Sequence, residues 1–138
     1  MRITQESEYA LRIVLYLSKL EDGEIATGKE ISRAEDIPEK FALKILRDLS
    51  QAKIVNSYRG LKGGYNLRVS PDRTNIRDII EAVQGKLTMT QGLKEIKSRD
   101  DLPFDVIDRY FYELQEDVRK RLTTKTIASL ANDERNME

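Results

Sequence analysis

Eleven consecutive residues, Ser57 to Leu67, read Ser-Tyr-Arg-Gly-Leu-Lys-Gly-Gly-Tyr-Asn-Leu. They hold three of the chain's seven glycines, two of its six tyrosines and two cations, with no acid among them. Glycine tolerates the positive φ values that tight loops require, so Gly60 to Gly64 predicts a turn. Ile54 to Tyr58 on one side and Tyr65 to Val69 on the other read as strands, the second alternating apolar and polar. Ser70-Pro71-Asp72 closes the unit. The segment is therefore expected to be a β-hairpin whose tip carries Arg59 and Lys62.

The residues before the hairpin follow a helical period. Tyr9, Ala10, Ile13, Val14, Leu17 and Leu20 recur at spacings of three and four. They predict a helix from about Gln5 to Leu20 with Thr4 as N-cap and Asp22-Gly23 as terminator. Thr27 and Glu30 have the form of a capping box, in which hydroxyl and carboxylate each satisfy an orphan backbone N–H. A short helix is expected from Gly28 to Glu35, with Ile31 and Ala34 inward. Pro38 suits the first turn of the next helix, where its missing N–H costs nothing. That helix should run to about Ala52, burying Phe41, Ala42, Ile45, Leu46 and Leu49 and leaving Lys40, Lys44, Arg47 and Asp48 mainly outside. Two helices joined by so short a turn are compatible with a helix-turn-helix. Followed by a hairpin, they have the order of a winged helix. The fold class expected is mainly α with a small β-hairpin.

After the hairpin, Asn75 caps a further helix with Ile76, Ile79, Ile80 and Val83 as its apolar face and Gly85 as its stop. Thr90 to Ile96 is read as a short helix, and Lys97 to Asp101 as an exposed loop. Pro103 begins a long helix to about Leu122. On it Ile107, Phe111, Leu114, Val118 and Leu122 form a stripe, widened by Tyr110. A stripe that long needs cover, either from its own domain or from a second copy. Thr126 to Leu130 reads as a short closing helix, and Asp133 to Glu138 as a fraying polar tail.

The chain has 138 residues, no cysteine and no histidine. That excludes disulfides, thiolate nucleophiles, zinc fingers, Cys-ligated iron–sulfur clusters and Ser-His-Asp triads. Carboxylates could still bind a hard cation or do acid–base work, but none stands at a spacing that suggests it, so no catalytic residue, metal or cofactor is assigned. No apolar run reaches the ~18 residues of a membrane span, and no secretory signal is visible at the N-terminus, so the expected location is the cytoplasm. Formal net charge is zero. From Lys40 to Arg68, however, seven cations face Asp48 alone, a local +6. That segment is either an anion-binding face or a solvated helix followed by a charged hairpin.

This order resembles the Rrf2 family of bacterial winged-helix transcription regulators. Four pieces carry the resemblance: Met1-Arg2-Ile3-Thr4 with Tyr9-Ala10-Leu11-Arg12; Ile31 to Leu49; the wing Ser57 to Tyr65 with its Arg-Gly-x-x-Gly-Gly-Tyr motif; and Asp78 to Gly85. The likeness spans nearly the whole chain. It implies a repressor-type regulator that acts as a homodimer on a palindromic double-stranded DNA operator. Residues 1–85 would form the winged helix-turn-helix domain, 86–102 a connecting, sensor-like segment, and 103–138 the dimerisation helix and C-terminal cap. Pro38, Glu39, Lys40 and Lys44 would enter the major groove. Ser57, Arg59, Gly60, Lys62, Gly63, Gly64 and Tyr65 would form the wing, with Arg59 in the minor groove, while Thr4 and Tyr9 sit near phosphates. Tyr65 is also expected to pack its ring below the wing. Ile107, Tyr110, Phe111, Leu114, Val118 and Leu122 would be the dimer seam.

The chain departs from the family twice. Many relatives carry Tyr-Leu-Glu-Gln in the recognition helix, where this chain has Phe41-Ala42-Leu43-Lys44, so a different operator is expected. Cluster-binding members carry three cysteines between the fourth helix and the long one. Here Gln84 to Asp105 has none, and Glu8 alone cannot hold a cluster. Control would then come from a small molecule held near Met89, Leu93 and Phe104, from a partner protein, or from concentration alone. A winged helix used only for protein interaction is the alternative function; the basic segment and the Arg-Gly wing argue against it.

Overall fold

The computed structural model describes residues 1–94 and 105–138. Its elements are α1 (Gln5–Leu17), α2 (Gly28–Glu35), α3 (Glu39–Gln51), β1 (Val55–Tyr58), β2 (Gly64–Leu67), α4 (Ile76–Gln84), α5 (Val106–Thr124) and α6 (Ile127–Asn136), with 3-10 turns at Pro71–Arg73 and Gln91–Leu93. Helix α1 lies at the centre, packed against α3 and α4, and α2 packs on α3. Ile13, Ile31, Ile45, Leu46, Leu49, Ile79 and Ile127 are all fully buried in one continuous core.

Five helices start on the side-chain caps that their sequences offer. Thr4, Thr27, Asn75, Asp105 and Thr126 each accept the backbone N–H three residues on, an interaction typically worth ~1 kcal/mol. Thr27 supplies its half of the predicted capping box by accepting from Glu30 N at 3.1 Å. Helix α1 is shorter than the stripe suggested, ending at Leu17. Ala34 is exposed rather than inward, because the eight-residue α2 buries only Gly28 and Ile31. Asp36 takes the left-handed conformation (φ 53°), which turns the chain sharply into Pro38, the N-cap of α3.

Strands β1 and β2 pair antiparallel, with Ser57 opposite Tyr65 and Tyr58 opposite Gly64. A third segment joins them. Ala26 and Tyr65 exchange two backbone hydrogen bonds, at 2.9 and 2.8 Å. A second bridge, Asn75 with Thr126, ties the C-terminal part to the start of α4. Helix α6 therefore returns to pack on α1 and on the Pro71–Arg73 turn. It extends to Asn136, so the polar tail expected to fray from Asp133 is mostly helical. Of the predicted 90–96 helix, the described part is the 3-10 turn at Gln91–Leu93. The expected loop at Lys97 to Asp101 and the start of the long helix at Pro103 lie outside the described residues. Among the described residues no helix is long and apolar enough to cross a membrane.

Candidate nucleic-acid interface

Helix α3 divides its residues cleanly. Ala42, Ile45, Leu46 and Leu49 are completely buried, while Glu39, Lys40, Lys44 and Arg47 are exposed. One expectation fails here. Phe41 is 46% exposed, because it lies off the line of the buried set toward the flank of the helix, and a seat in the core was already taken by Ala42 and Ile45.

Lys44 is not a free cation. Its Nζ lies 3.0 Å from Glu6 Oε2 in the first turn of α1 and 4.0 Å from Asp48 Oδ2. The hydrogen bond from Lys44 to Glu6, together with the Glu6 charge, holds the ammonium above its ordinary pKa. Among the described residues Lys40, Arg47, Arg59 and Lys62 make no ion pair. The +6 segment thus keeps most of its uncompensated charge on α3 and the hairpin tip. The acid that tempers it comes from 38 residues upstream, which no local spacing could reveal.

The hairpin is held rigidly to α3. Lys53 takes the left-handed conformation (φ 63°), and Ile54 N–H donates back to Leu49 O at 2.9 Å. The strands therefore leave α3 without a flexible linker. At the tip, Gly63 N–H donates to Gly60 O at 2.9 Å, and Gly60 has φ 99°. A β-carbon at Gly63 would lie 2.4 Å from Tyr58 O, and one at Gly64 would lie 2.8 Å from Ala26 O. The two glycines allow three backbone segments to approach more closely than any other residue permits. Ser57, Arg59 and Lys62 are exposed, and Leu61 between them is fully so. Tyr65 is half-buried against the core, as expected.

Thr4 and Tyr9 have local partners. Thr4 caps α1, and its backbone N–H and the Ser7 hydroxyl both donate to Gln84 Oε1, at 3.0 and 2.7 Å. Gln84 Nε2 donates in turn to Arg2 O at 2.8 Å, which fixes the N-terminus to the end of α4. The Tyr9 hydroxyl accepts from Gln5 Nε2 at 3.0 Å. Ser7 and Gln84 were not legible as partners; the only local signal was a polar residue, Ser7, on the otherwise apolar face of α1.

Helix α5 is built the other way round. Val106, Ile107 and Tyr110 are 79, 64 and 62% exposed and Leu114 is 36% exposed, while Phe111, Val118 and Leu122 are half-buried. Its buried residues are Gln115 and Arg119. Gln115 Oε1 accepts from Met89 N–H at 2.8 Å. Arg119 approaches Glu81 on α4 at 3.4 Å and Glu116 at 3.1 Å. Burial pushes the Glu81 carboxyl up, but the Leu87 N–H, the Arg119 charge and the Arg77 hydrogen bond together hold it below the usual value. Leu93, expected to line an effector pocket, is fully buried, and Phe104 lies outside the described residues. A different concavity of about 550 Å³ opens between Val118 and Leu122 on α5, Leu130 on α6 and Ile76 on α4, with Arg121 and Lys125 at its edge.

Comparison with known proteins agrees with this architecture. The family model Rrf2, described as an iron-dependent transcriptional regulator, matches residues 3–133. A Mycobacterium tuberculosis protein assigned as an HTH-type transcriptional regulator is 27% identical over 135 residues, covering 95% of this chain and 81% of its own. The regulator NsrR of Bacillus subtilis is 24% identical over 145 residues, covering 91% and 99%. Among solved structures, CymR, the global cysteine regulator of B. subtilis, superposes with a TM-score of 0.77 at 24% identity over 96% of this chain and 97% of that one. A transcriptional regulator structure from Listeria innocua gives 0.78 at 25% identity over 96% and 87%. The iron named in the family description does not fit this chain as a thiolate-ligated site, since the sequence supplies neither cysteine nor histidine. Among the described residues no three acidic side chains gather as a metal cage.

Proposed function

We propose that this chain, which belongs to the Rrf2 family of transcriptional regulators, binds a palindromic operator as a homodimer and represses transcription from it. The observation that carries the reading is the inverted burial of α5. An isolated chain leaves Val106, Ile107 and Tyr110 in water while it buries Gln115 and Arg119, a pattern that supports cover of the apolar side by a second copy. Ile107, Tyr110, Phe111, Leu114, Val118 and Leu122 form that seam. Two winged domains related by a two-fold axis then address two half-sites about 34 Å apart, one turn of DNA.

In each half, the first turns of α3 enter the major groove. Lys40 and Lys44 donate there to guanine or to phosphate, beside Pro38 and Glu39. The wing lies along the backbone through Ser57, Lys62 and the glycine turn, and Arg59 reaches into the minor groove, where a narrow groove concentrates negative potential. The Tyr9 hydroxyl, which accepts from Gln5, donates to a phosphate oxygen, while Thr4 holds the end of α1 in place. Residues 1–85 are the DNA-binding part, 86–102 the connection, and 103–138 the pairing helix and its cap. A small molecule or a partner protein acting on the connection or α5 would alter the spacing of the two halves. The protein works where the DNA is, in the bacterial cytoplasm.

The test is selection of genomic fragments by the purified protein, read as affinity against salt, with sedimentation to give the mass. The expected result is a dimer that recovers one two-fold-symmetric sequence and binds it with a steep salt dependence. A monomer at micromolar concentration, or weak binding equal for all fragments, overturns the reading. Reduced transcription from a promoter bearing the recovered sequence tests repression.

A further inference from the structure

The large apolar side chains that remain more than about a third exposed fall into a simple pattern among the described residues. Met1, Ile3 and Met137 are at the chain ends. Val106, Ile107, Tyr110 and Leu114 belong to α5. The rest are Phe41, Leu43, Tyr58 and Leu61, on α3 and the hairpin. Pairing accounts for the α5 group and leaves the last group uncovered.

Two of those four stand in the first turns of α3. At 3.6 residues per turn, Phe41 and Leu43 occupy opposite flanks of the ridge formed by Lys40 and Lys44. Leu43 is 38% exposed, yet it is seated firmly. Its Cδ2 rests over buried Gly28 at the start of α2, where an added β-carbon would lie 2.6 Å away. One side of Leu43 is thus packed by the neighbouring helix and the other is presented outward. The lysines between the two apolar groups are long point charges with little directional preference. They suit a polyanion but select weakly among bases.

We infer that Leu43 and Phe41 read the 5-methyl groups of thymine in the major groove, so that each half-site is selected for thymine at the base pairs these side chains face. This rests on the proposed placement of α3 in that groove. Thymine is the one base that offers a methyl group there, and an apolar side chain recognises it by excluding water from both surfaces. The flanking lysines hold the backbone or a guanine edge and bring the apolar pair into register.

The experiment compares the recovered operator with copies in which thymines are replaced, position by position, by deoxyuridine, which lacks only the methyl group. Loss of affinity of about fourfold per contacted methyl, the value of one buried methyl group, is expected at one or two positions per half-site. Leu43→Ala and Phe41→Ala should weaken binding to the thymine operator and have no further effect on the matching deoxyuridine operator. Equal affinity for both DNAs overturns the inference and leaves the proposed function standing, because the protein still selects a sequence. Equal losses on both DNAs in the variants overturn it in the same way. Failure to select any fragment overturns both. The DNA-side substitution needs no altered protein, so misfolding of a variant cannot obscure the answer.

Discussion

Helices α3 and α5 each carry an apolar stripe at helical spacing, and the fold uses them in opposite ways. On α3 the stripe Ala42, Ile45, Leu46 and Leu49 is wholly inside, and the cations Lys40, Lys44 and Arg47 are outside. On α5 the polar residues Gln115 and Arg119 face the domain, and Ile107 and Tyr110 face water. Burying a guanidinium costs unless it is paired, and Glu81 and Glu116 provide the pairing. The difference shows that apolar periodicity predicts a helix but not which side of it belongs to the monomer. A stripe on one helix completes the core, and the same stripe on another is a surface still to be covered.

The two stripes should respond differently to substitution, the largest effect coming from a charge on α5. Ile107→Glu puts an unpaired carboxylate into the proposed seam, at a cost of about 3–5 kcal/mol to pairing. Sedimentation should show a monomer whose circular dichroism is that of the parent. A dimer of unchanged affinity would mean that α5 does not pair through this face. Leu46→Ala, in contrast, should destabilise the folded chain by about 2–5 kcal/mol, because it opens a cavity in a packed core. Ile107→Ala should change the stability of the folded monomer by no more than about 0.5 kcal/mol. The pair of measurements separates a core stripe from a seam.

Glu81 tests the polar side of α5. Its folded pKa lies below the unfolded value of 4.5. The stabilisation is therefore present in full above that value and lost as pH falls through the folded pKa. Glu81→Gln removes the charge facing buried Arg119 and also weakens the bonds to Arg77 and the Leu87 N–H. A loss of about 2–3 kcal/mol is expected at neutral pH. Denaturation curves of parent and variant should converge as the pH is lowered below 4.5. A constant gap would show that packing rather than charge is responsible.

How much of this was legible follows from the range of each interaction. The hairpin, the caps at Thr4, Thr27 and Asn75, and the inner face of α3 from Ala42 to Leu49 were read correctly because each is set by residues within a few positions. The wing glycines were read as a turn. Their closest constraint, the approach of Ala26 to Gly64, spans 38 residues and left no local sign. Phe41 was misplaced because hydrophobicity was taken as burial, although it lies beside the apolar line rather than on it. The pairings of Lys44 with Glu6 and Arg119 with Glu81 are long-range choices among many charged residues, and composition gives no preference among them. The polar tail from Asp133 was read as frayed, but Lys125 pairs with Asp133 at 2.6 Å and Lys19 pairs with Glu134. Docking of α6 on α1 supplies a support that its own sequence does not advertise.

On the DNA side, Arg59→Ala should cost about 1–3 kcal/mol of operator affinity if the guanidinium reads a groove, and should relax selection at the base pairs beneath the wing. Lys62→Ala should weaken binding by a similar factor on every sequence if it meets only phosphate. Affinity unchanged by Arg59→Ala would remove that residue from the interface and leave α3 as the only reader.

The smallest expected effect concerns the contact between α1 and the outer face of α3, Glu6 with Lys44. Both side chains are about half exposed, so solvent screens the pair and it contributes little to folding. Its consequence lies in binding. In the proposed interface Lys44 shares its charge between Glu6 and any phosphate it meets, and Glu6 adds a negative charge beside the helix proposed to approach a polyanion. Glu6→Gln removes that charge. Lys44 is protonated at neutral pH with or without its partner, so the change is one of field and not of titration. Affinity should rise a few-fold on all sequences, and the slope of log affinity against log salt should steepen by about 0.9, one more released counterion per protomer. If affinity for the operator falls instead while that for random DNA rises, Glu6 is holding Lys44 in the pose that reads a base. The ion pair would then be part of the recognition surface and not a brake on it.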